Sequence, residues 1–427
     1  MSLFGTGSAF LLTASTPCTA AGFYLQQQSV RGWGRANSGE AADSGPESLW
    51  WNPASIGGAT EKEGSFGATI FLPVGDLDDD GTVIDRPGQP PLPAGGIASM
   101  SDPVEKGAAP HNGAVLPLGS KVALGLVITS PFSFTSDYDP AGWQRYSAIH
   151  SRLTTLDIQP SIAFMPAPWL SIGAGVNVEY ADAFLGNALP NLAAGSADGR
   201  VRLKGSGWDI GWSAGVQLRP SPRLTIGIAY KSSIEHDLDG SVEIVGLTGP
   251  LAASNLLADT EAHFSTPWQL IVGARGRVSK GLTLNVQAVR FGWGRFDQIA
   301  VAAPLNSEIH QDYHNTWSVA FGGDLALSEK LTLRSGFQID PTPTPALGRS
   351  PRVPDADRID YNVGASLKAG KRLTLDAAAG YTDFEDETIL RGERFYAGTA
   401  AQTDVTTNGR ATGQHALVVS LGGRMQF

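Results

Sequence analysis

The chain has 427 residues, of which 52 are glycine and only 17% are charged, with a formal net charge of -10. That acidic balance cannot neutralise phosphates, which sets nucleic-acid binding aside. No apolar run approaches the ~20 residues of a membrane-spanning helix, and a single cysteine supports neither a disulfide framework nor a four-thiolate metal site.

Residues 1–20 carry no charge and run through Ala9-Phe10-Leu11-Leu12 to a small-residue stretch ending at Ala20. They read as a signal peptide, although the usual positive start is missing and a disordered leader has the same composition. Cleavage after Ala20 removes Cys18 and leaves an exported chain without a thiol, as suits an oxidising compartment. Residues 21–61 show no two-residue alternation and are rich in Gly, Ser and Ala. They contain Ala21-Gly22-Phe23-Tyr24-Leu25, then Gly32-Trp33-Gly34-Arg35-Ala36-Asn37-Ser38-Gly39-Glu40, then Trp50-Trp51-Asn52-Pro53-Ala54.

From Lys62 to Phe427 the pattern alternates with period two, the mark of strands with one apolar face. Leu170, Ile172, Ala174, Val176, Val178 and Tyr180 oppose Ser171, Gly173, Gly175, Asn177 and Glu179. The same split recurs from Ile210 to Leu218, from Trp317 to Leu327, from Leu373 to Tyr381 and from Leu417 to Phe427. Near-identical restarts follow the short turns, as in Gly281-Leu282-Thr283-Leu284, Lys330-Leu331-Thr332-Leu333 and Arg372-Leu373-Thr374-Leu375. Six short turns alternate with seven long connections, among them 75–109, 184–205 and 246–260, which gives fourteen strands.

Short turns on one side, long loops on the other and an even strand number describe a bacterial outer-membrane barrel. Closure satisfies every backbone group in lipid. A soluble sandwich alternates in the same way, but it does not place small polar residues on the second face. Aromatics near strand ends, including Trp169, Tyr180, Tyr230, Trp268, Trp317 and Tyr381, fit interfacial girdles. The reading is an all-β, fourteen-stranded antiparallel transmembrane β-barrel over residues 62–427 in the outer membrane of a Gram-negative cell.

The segment 21–61 resembles the N-terminal hatch of the FadL-type outer-membrane transporters of long-chain fatty acids and aromatic hydrocarbons. The Ala-Gly-Phe start, the Gly34, Arg35, Gly39 and Glu40 core, and the Asn52-Pro53-Ala54 close carry the likeness. The resemblance implies a hatch inside the lumen, no open aqueous channel, and hydrophobic ligand that comes in from outside and leaves once the hatch moves. It also implies an inward kink in the third strand. Ser130-Pro131-Phe132 looks like that place, since Pro131 cannot donate to a ladder; equally, the strand ends at Ser130 and Pro131 begins a loop. Phe23, Tyr24, Leu25 and Trp33 either contact ligand or pack the hatch against the wall.

The function expected is passive transport of hydrophobic compounds, foremost long-chain fatty acids. Alternatives are an importer of monoaromatic hydrocarbons or a surface-receptor barrel without transport. A fatty carboxylate calls for a cation in an apolar pocket, and Arg275, Arg290, Arg334 and Arg358 are the candidates, unless they pair with wall carboxylates. Gln311-Asp312-Tyr313-His314-Asn315 lacks a lysine where fatty-acid carriers of this type can have a basic group, which keeps a hydrocarbon substrate open. Asp76, Asp78 and Asp80 open like a calcium loop, but Pro87 stands where the bidentate glutamate belongs. No nucleophile and base are matched, so no enzyme and no cofactor are expected. Partners expected are the ligand, membrane lipid with lipopolysaccharide, and the barrel assembly machinery, around a monomer.

Overall fold

Successive residues of a strand point to opposite faces, and in this chain the apolar set points out. Along Leu170–Leu189, Ile172 and Val176 are 41% and 47% exposed, while Ser171, Asn177 and Glu179 are buried. A sheet bathed in lipid requires this inversion of the soluble pattern. The computed structural model describes residues 22–427, so the expected signal peptide, its cleavage site and Cys18 lie outside the described residues.

Fourteen strands form the wall. They begin with β1 (Glu63–Asp79), β2 (Gly107–Pro117), β3 in two pieces (Val122–Thr129 and Ser133–Asp137), β4 (His150–Ala167) and β5 (Leu170–Leu189). Next come β6 (Gly199–Ser221), β7 in two pieces (Leu224–Lys231 and Glu235–Val245), β8 in two pieces (Leu256–Ser265 and Trp268–Arg277) and β9 (Leu282–Gly292). The ring is completed by β10 (Thr316–Ala326), β11 (Leu331–Asp340), β12 (Arg358–Lys368), β13 (Leu373–Phe384) and β14 (Thr403–Gln426). Neighbours pair antiparallel, and β1 closes on β14 from Glu63↔Gln426 to Asp79↔Gly409, which leaves no edge strand.

The restarts seen in the sequence correspond to one turn geometry. Leu118, Val278, Leu327 and Ala369 each donate a backbone N–H to the carbonyl four residues on, at 2.8–2.9 Å. The connections on the opposite side are shorter than the sequence reading allowed, because β5 and β6 run on to Leu189 and back from Gly199. Alternation persists there with Leu185 and Leu203 facing in, so most of 184–205 is wall rather than loop. A strand needs only about 9–11 residues to cross the bilayer. The 20 and 23 residues of β5 and β6 therefore carry the barrel well above it.

Residues 22–59 fill the lumen as a hatch built from one helical turn, α1 (Val30–Trp33), and 3-10 turns at Glu40–Ala42, Pro46–Ser48 and Pro53–Ile56. Local caps fix these pieces. Ser29 Oγ accepts the Gly32 N–H at 2.9 Å, and Asn52 Oδ1 accepts the Ala54 N–H at 2.9 Å ahead of Pro53 at the first position of its turn. The chain touches the inner wall closely: a Cβ on Gly34 would sit 3.0 Å from the Gly364 Cα, so glycine on both sides lets backbone meet backbone.

Candidate functional site

The β3 strand is broken at Ser130-Pro131-Phe132. Its register with β4 runs to Thr129↔Asp157 and resumes at Ser133↔Thr154, with one more residue on β3 than on β4. On the other side, pairing with β2 stops at Asn112↔Ile128. It returns only beyond the end of β2, where Glu105 donates to the Thr135 carbonyl at 3.0 Å and Val104 bridges Ser136. Between these points the wall has no β2–β3 ladder. Pro131, which has no N–H, sits at the bend.

The start of the hatch takes up the hydrogen bonds that β2 does not make. Leu25 N–H donates to the Pro131 carbonyl at 2.7 Å, Ser133 N–H donates to the Phe23 carbonyl at 3.0 Å, and Tyr24 bridges Phe132. Around this short pairing is an aromatic cage. Phe23 meets Phe296, Trp293 and Phe132 edge-on at 4.9, 5.1 and 5.8 Å, and Tyr24 meets Phe291 at 5.1 Å. The leading end is held from above by the long connection between β11 and β12. Gly22 N–H donates to Asp355 Oδ2 at 2.9 Å, and burial pushes that carboxyl up to about 6.

Above the hatch lies an apolar pocket walled by Phe23, Phe134, Leu203, Leu238, Phe264 and Phe296. Its free space is ≈ 50 Å³, far below the ~300 Å³ that a bound small molecule occupies. A ligand therefore has to displace side chains, and Phe23 is the one attached to the hatch. Arg352 also lines the pocket. It donates to Ser151 Oγ at 2.9 Å and to the Ser147 carbonyl at 2.5 Å, and among the described residues it forms no ion pair. Burial lowers its guanidinium to about 10, so it remains cationic at neutral pH.

The rest of the hatch is bound to the wall by charge. Buried Arg35 pairs with Glu40, with Asp43 at 2.6 Å and with wall residue Asp324 at 3.1 Å. Arg275 bridges Asp43 and Asp324 at 3.3 and 3.1 Å, and Arg334 reaches Asp324 at 2.7 Å. Arg424 joins Glu47 to Asp376 at 3.0 Å each. Asn52 adds hydrogen bonds from Nδ2 to the carbonyls of Ala41 at 2.8 Å and Val216 at 3.2 Å.

Several residues singled out in the sequence lie elsewhere than their expected roles require. Arg275 and Arg334 belong to the hatch network, and Arg358 pairs with Asp340 at 2.5 Å. Arg290 lies 5.5 Å over the ring of outward-facing Trp317. None of the four lines the pocket, because each is committed to a carboxylate or to the outer face. Of Phe23, Tyr24, Leu25 and Trp33, only Phe23 lines it; Leu25 and Trp33 pack in a separate apolar cluster with Phe71, Ala109 and Val418. Asp76 and Asp78 lie in extended β1 and Asp80 bonds Arg410 at 2.8 Å, so no calcium loop forms there. Among the described residues no group of three His, Cys, Asp or Glu is arranged for a metal. Sequence reasoning missed Arg352, Trp293 and Phe296, whose one visible signal was a cation between two prolines, Pro351 and Pro354.

Known proteins share this fold. The family model described as "Outer membrane protein transport protein (OMPP1/FadL/TodX)" matches residues 11–427. The long-chain fatty acid transport protein of Salmonella typhi is 25% identical over 408 residues, covering 88% of this chain and 91% of that protein. A Pseudomonas aeruginosa FadL homologue superposes with a TM-score of 0.82 at 23% identity, covering 95% of this chain and 100% of that structure. The Ralstonia pickettii toluene transporter TbuX gives 0.59 at 17% identity over 92% of this chain and 98% of that structure. The chain belongs to this OMPP1/FadL/TodX family of outer-membrane transport proteins, a family of transporters and not of enzymes.

Proposed function

We propose that this barrel carries long-chain fatty acids across the outer surface of the cell by ligand-driven release of the hatch's leading segment, followed by lateral exit between β2 and β3. The observation that carries this reading is the position of Phe23. It fills a pocket too small for ligand, and two residues along the same chain Leu25 holds the kinked β3. A ligand that takes the place of Phe23 pulls on that pairing, so binding and opening are one event. Exit through the wall suits the cargo, since each methylene kept out of water is worth about 0.8 kcal/mol.

Arg352 favours a carboxylate-bearing ligand over a plain hydrocarbon. Glu393 acts on this guanidinium from beyond ion-pair distance and is itself bonded to Ser147, so a buried cation without a direct carboxylate contact among the described residues gains a charge-assisted bond when a carboxylate arrives. The name of the Salmonella typhi relative agrees with this, and that of the Ralstonia pickettii neighbour keeps aromatic hydrocarbons as the second reading. The test is uptake of labelled oleate and toluene by cells with wild-type protein, with Arg352→Ala and with Phe23→Ala. Loss of oleate uptake with toluene spared in Arg352→Ala supports the fatty-acid reading. Equal loss of both, or of neither, contradicts it.

A further inference from the structure

The β2–β3 opening is not the sole interruption of the wall. Register between β6 and β7 runs to Ser213↔Lys231 and resumes only at Ser206↔Asp239, one residue out of step. Just above Ser213 the Ser232 N–H still donates to the Trp212 carbonyl at 2.9 Å and the Trp212 N–H to Ser232 Oγ at 2.9 Å; from there to Ser206 the strands are joined through side chains. Asp209 Oδ2 accepts the Asp237 N–H at 3.3 Å and faces His236 Nδ1 at 3.1 Å, while His236 Nε2 lies 3.1 Å from Glu179 of β5. His236 is fully buried and stacks on Phe264 at 4.9 Å. A Cβ on Gly211 would come within 2.7 Å of Ile234 Cγ1, so a glycine there lets the upper piece of β7 lean over the inner face of β6.

This seam lies between lipid and ligand. Outside it are Trp208, Ile210 and Trp212, exposed by 55%, 72% and 53%. Inside it, Leu203, Gly205 and Leu238 from the two strands line the apolar pocket directly, and so does Phe264, the ring under His236. The row Asp157, Glu179 and Asp209 lies in direct register across β4, β5 and β6, and Thr129 at the edge of the kink continues it on β3. One buried polar belt thus joins the two places where the ladder fails.

We propose that the β6–β7 seam is a second lateral passage between the pocket and the surrounding lipid, held shut by His236 between Glu179 and Asp209. It rests on the reading that the pocket receives hydrophobic ligand. Unlike the β2–β3 opening, among the described residues it has no hatch backbone bonded across it, and the hatch residue that lies behind it, Trp50 beside Glu179, Ser232 and Ile234, belongs to the body, so it passes ligand without release of the leading segment, as the minor route.

The experiment uses the full-length barrel in cells. Pro110→Cys with Ser130→Cys, opposed across the β2–β3 opening, are joined by a short reducible bis-thiol cross-linker. Trp208→Cys with Asp237→Cys, opposed across the seam on the lipid side, are joined likewise, alone and in combination. Labelled oleate uptake and oleate binding to the detergent-solubilised protein are measured for each, before and after reduction. The expected result is residual uptake with the first link, abolished by adding the second and restored by reduction, with binding intact throughout. His236→Gln in the first background is expected to raise residual uptake about tenfold, the effect of losing one charge-assisted hydrogen bond. Residual uptake indifferent to the seam link, or none at all with the first link alone, overturns the second passage and leaves the principal route standing. Absence of oleate binding in the wild-type protein overturns the reading on which both rest.

Discussion

The two halves of the hatch are attached by different physics. The body from Val30 to Ile56 is tied to the wall by buried ion pairs through Arg35, Asp43 and Glu47 and their partners Asp324, Arg275 and Arg424. The leading segment from Gly22 to Gln28 contains no charged residue. It is held by backbone pairing to a broken strand, by aromatic edges and by hydrogen bonds, without an ion pair, to Asp355 and, through Gln26, to Asp340 of the wall. Breaking a buried pair leaves a charge stranded at several kcal/mol, whereas each neutral hydrogen bond contributes only about 1 kcal/mol net. On the proposed mechanism the hatch is a fixed body with a releasable end, and it need not leave the barrel for the passage to open.

Substitutions can break this contrast. The largest effect is expected from Arg35→Ala, which strands Glu40 and leaves Asp324 to the wall arginines Arg275 and Arg334, cutting the hatch from that carboxylate. About 3–5 kcal/mol of hatch stability is lost, read as a fall in thermal midpoint and proteolysis within residues 30–56, while a body held by packing alone would stay protected. Phe23→Ala removes the ring that fills the pocket and costs up to about 3–5 kcal/mol of packing in the leading segment. Amide exchange should rise at Tyr24 and Leu25 but not at Ala41 or Asn52.

Smaller effects sharpen the comparison. Arg352→Ala should weaken oleate binding about tenfold or more, the loss of a bond to a charged group, and leave toluene binding unchanged in a competition assay. The Asp355 carboxyl is raised to about 6 against an unfolded value near 4. A group shifted upward stabilises the closed form fully below the unfolded value, and that contribution fades as pH rises through about 6. Leading-segment exchange should therefore increase between about pH 4 and 6, and Asp355→Asn should flatten the profile. A profile equally steep in the Asn variant would show that another group governs it.

The barrel was legible because its rule is local. Alternation at Ile172, Val176 and their counterparts depends only on the strand period and the medium outside, and the turn restarts mark where the rule reverses. Pro131 was legible as a break for the same reason, since its missing N–H is a property of one residue. The pocket was not. Phe23, Phe264 and Arg352 lie far apart in the sequence and meet only because the β11–β12 connection folds down onto the lumen. The arginines named from the sequence were plausible cations, but Asp324 and Asp340 neutralise them through strand register, Asp324 opposite Arg334 and Asp340 opposite Arg358 on neighbouring strands, and that register is not written in either strand alone.

The releasable end is tested most directly by two tethers. Tyr24→Cys with Phe132→Cys links the leading segment to the kink at a bridged pair. Ser38→Cys with Gly322→Cys links the body to the wall where a Cβ on Gly322 would sit 2.5 Å from Ser38 Oγ, close enough for a disulfide. Oleate uptake should drop about tenfold or more in the oxidised leading tether relative to its own reduced form, to the residual level of the seam, and should not change on oxidation of the body tether. Uptake that falls much less than tenfold on oxidation of the leading tether, or that is lost on oxidation of the body tether, contradicts the account.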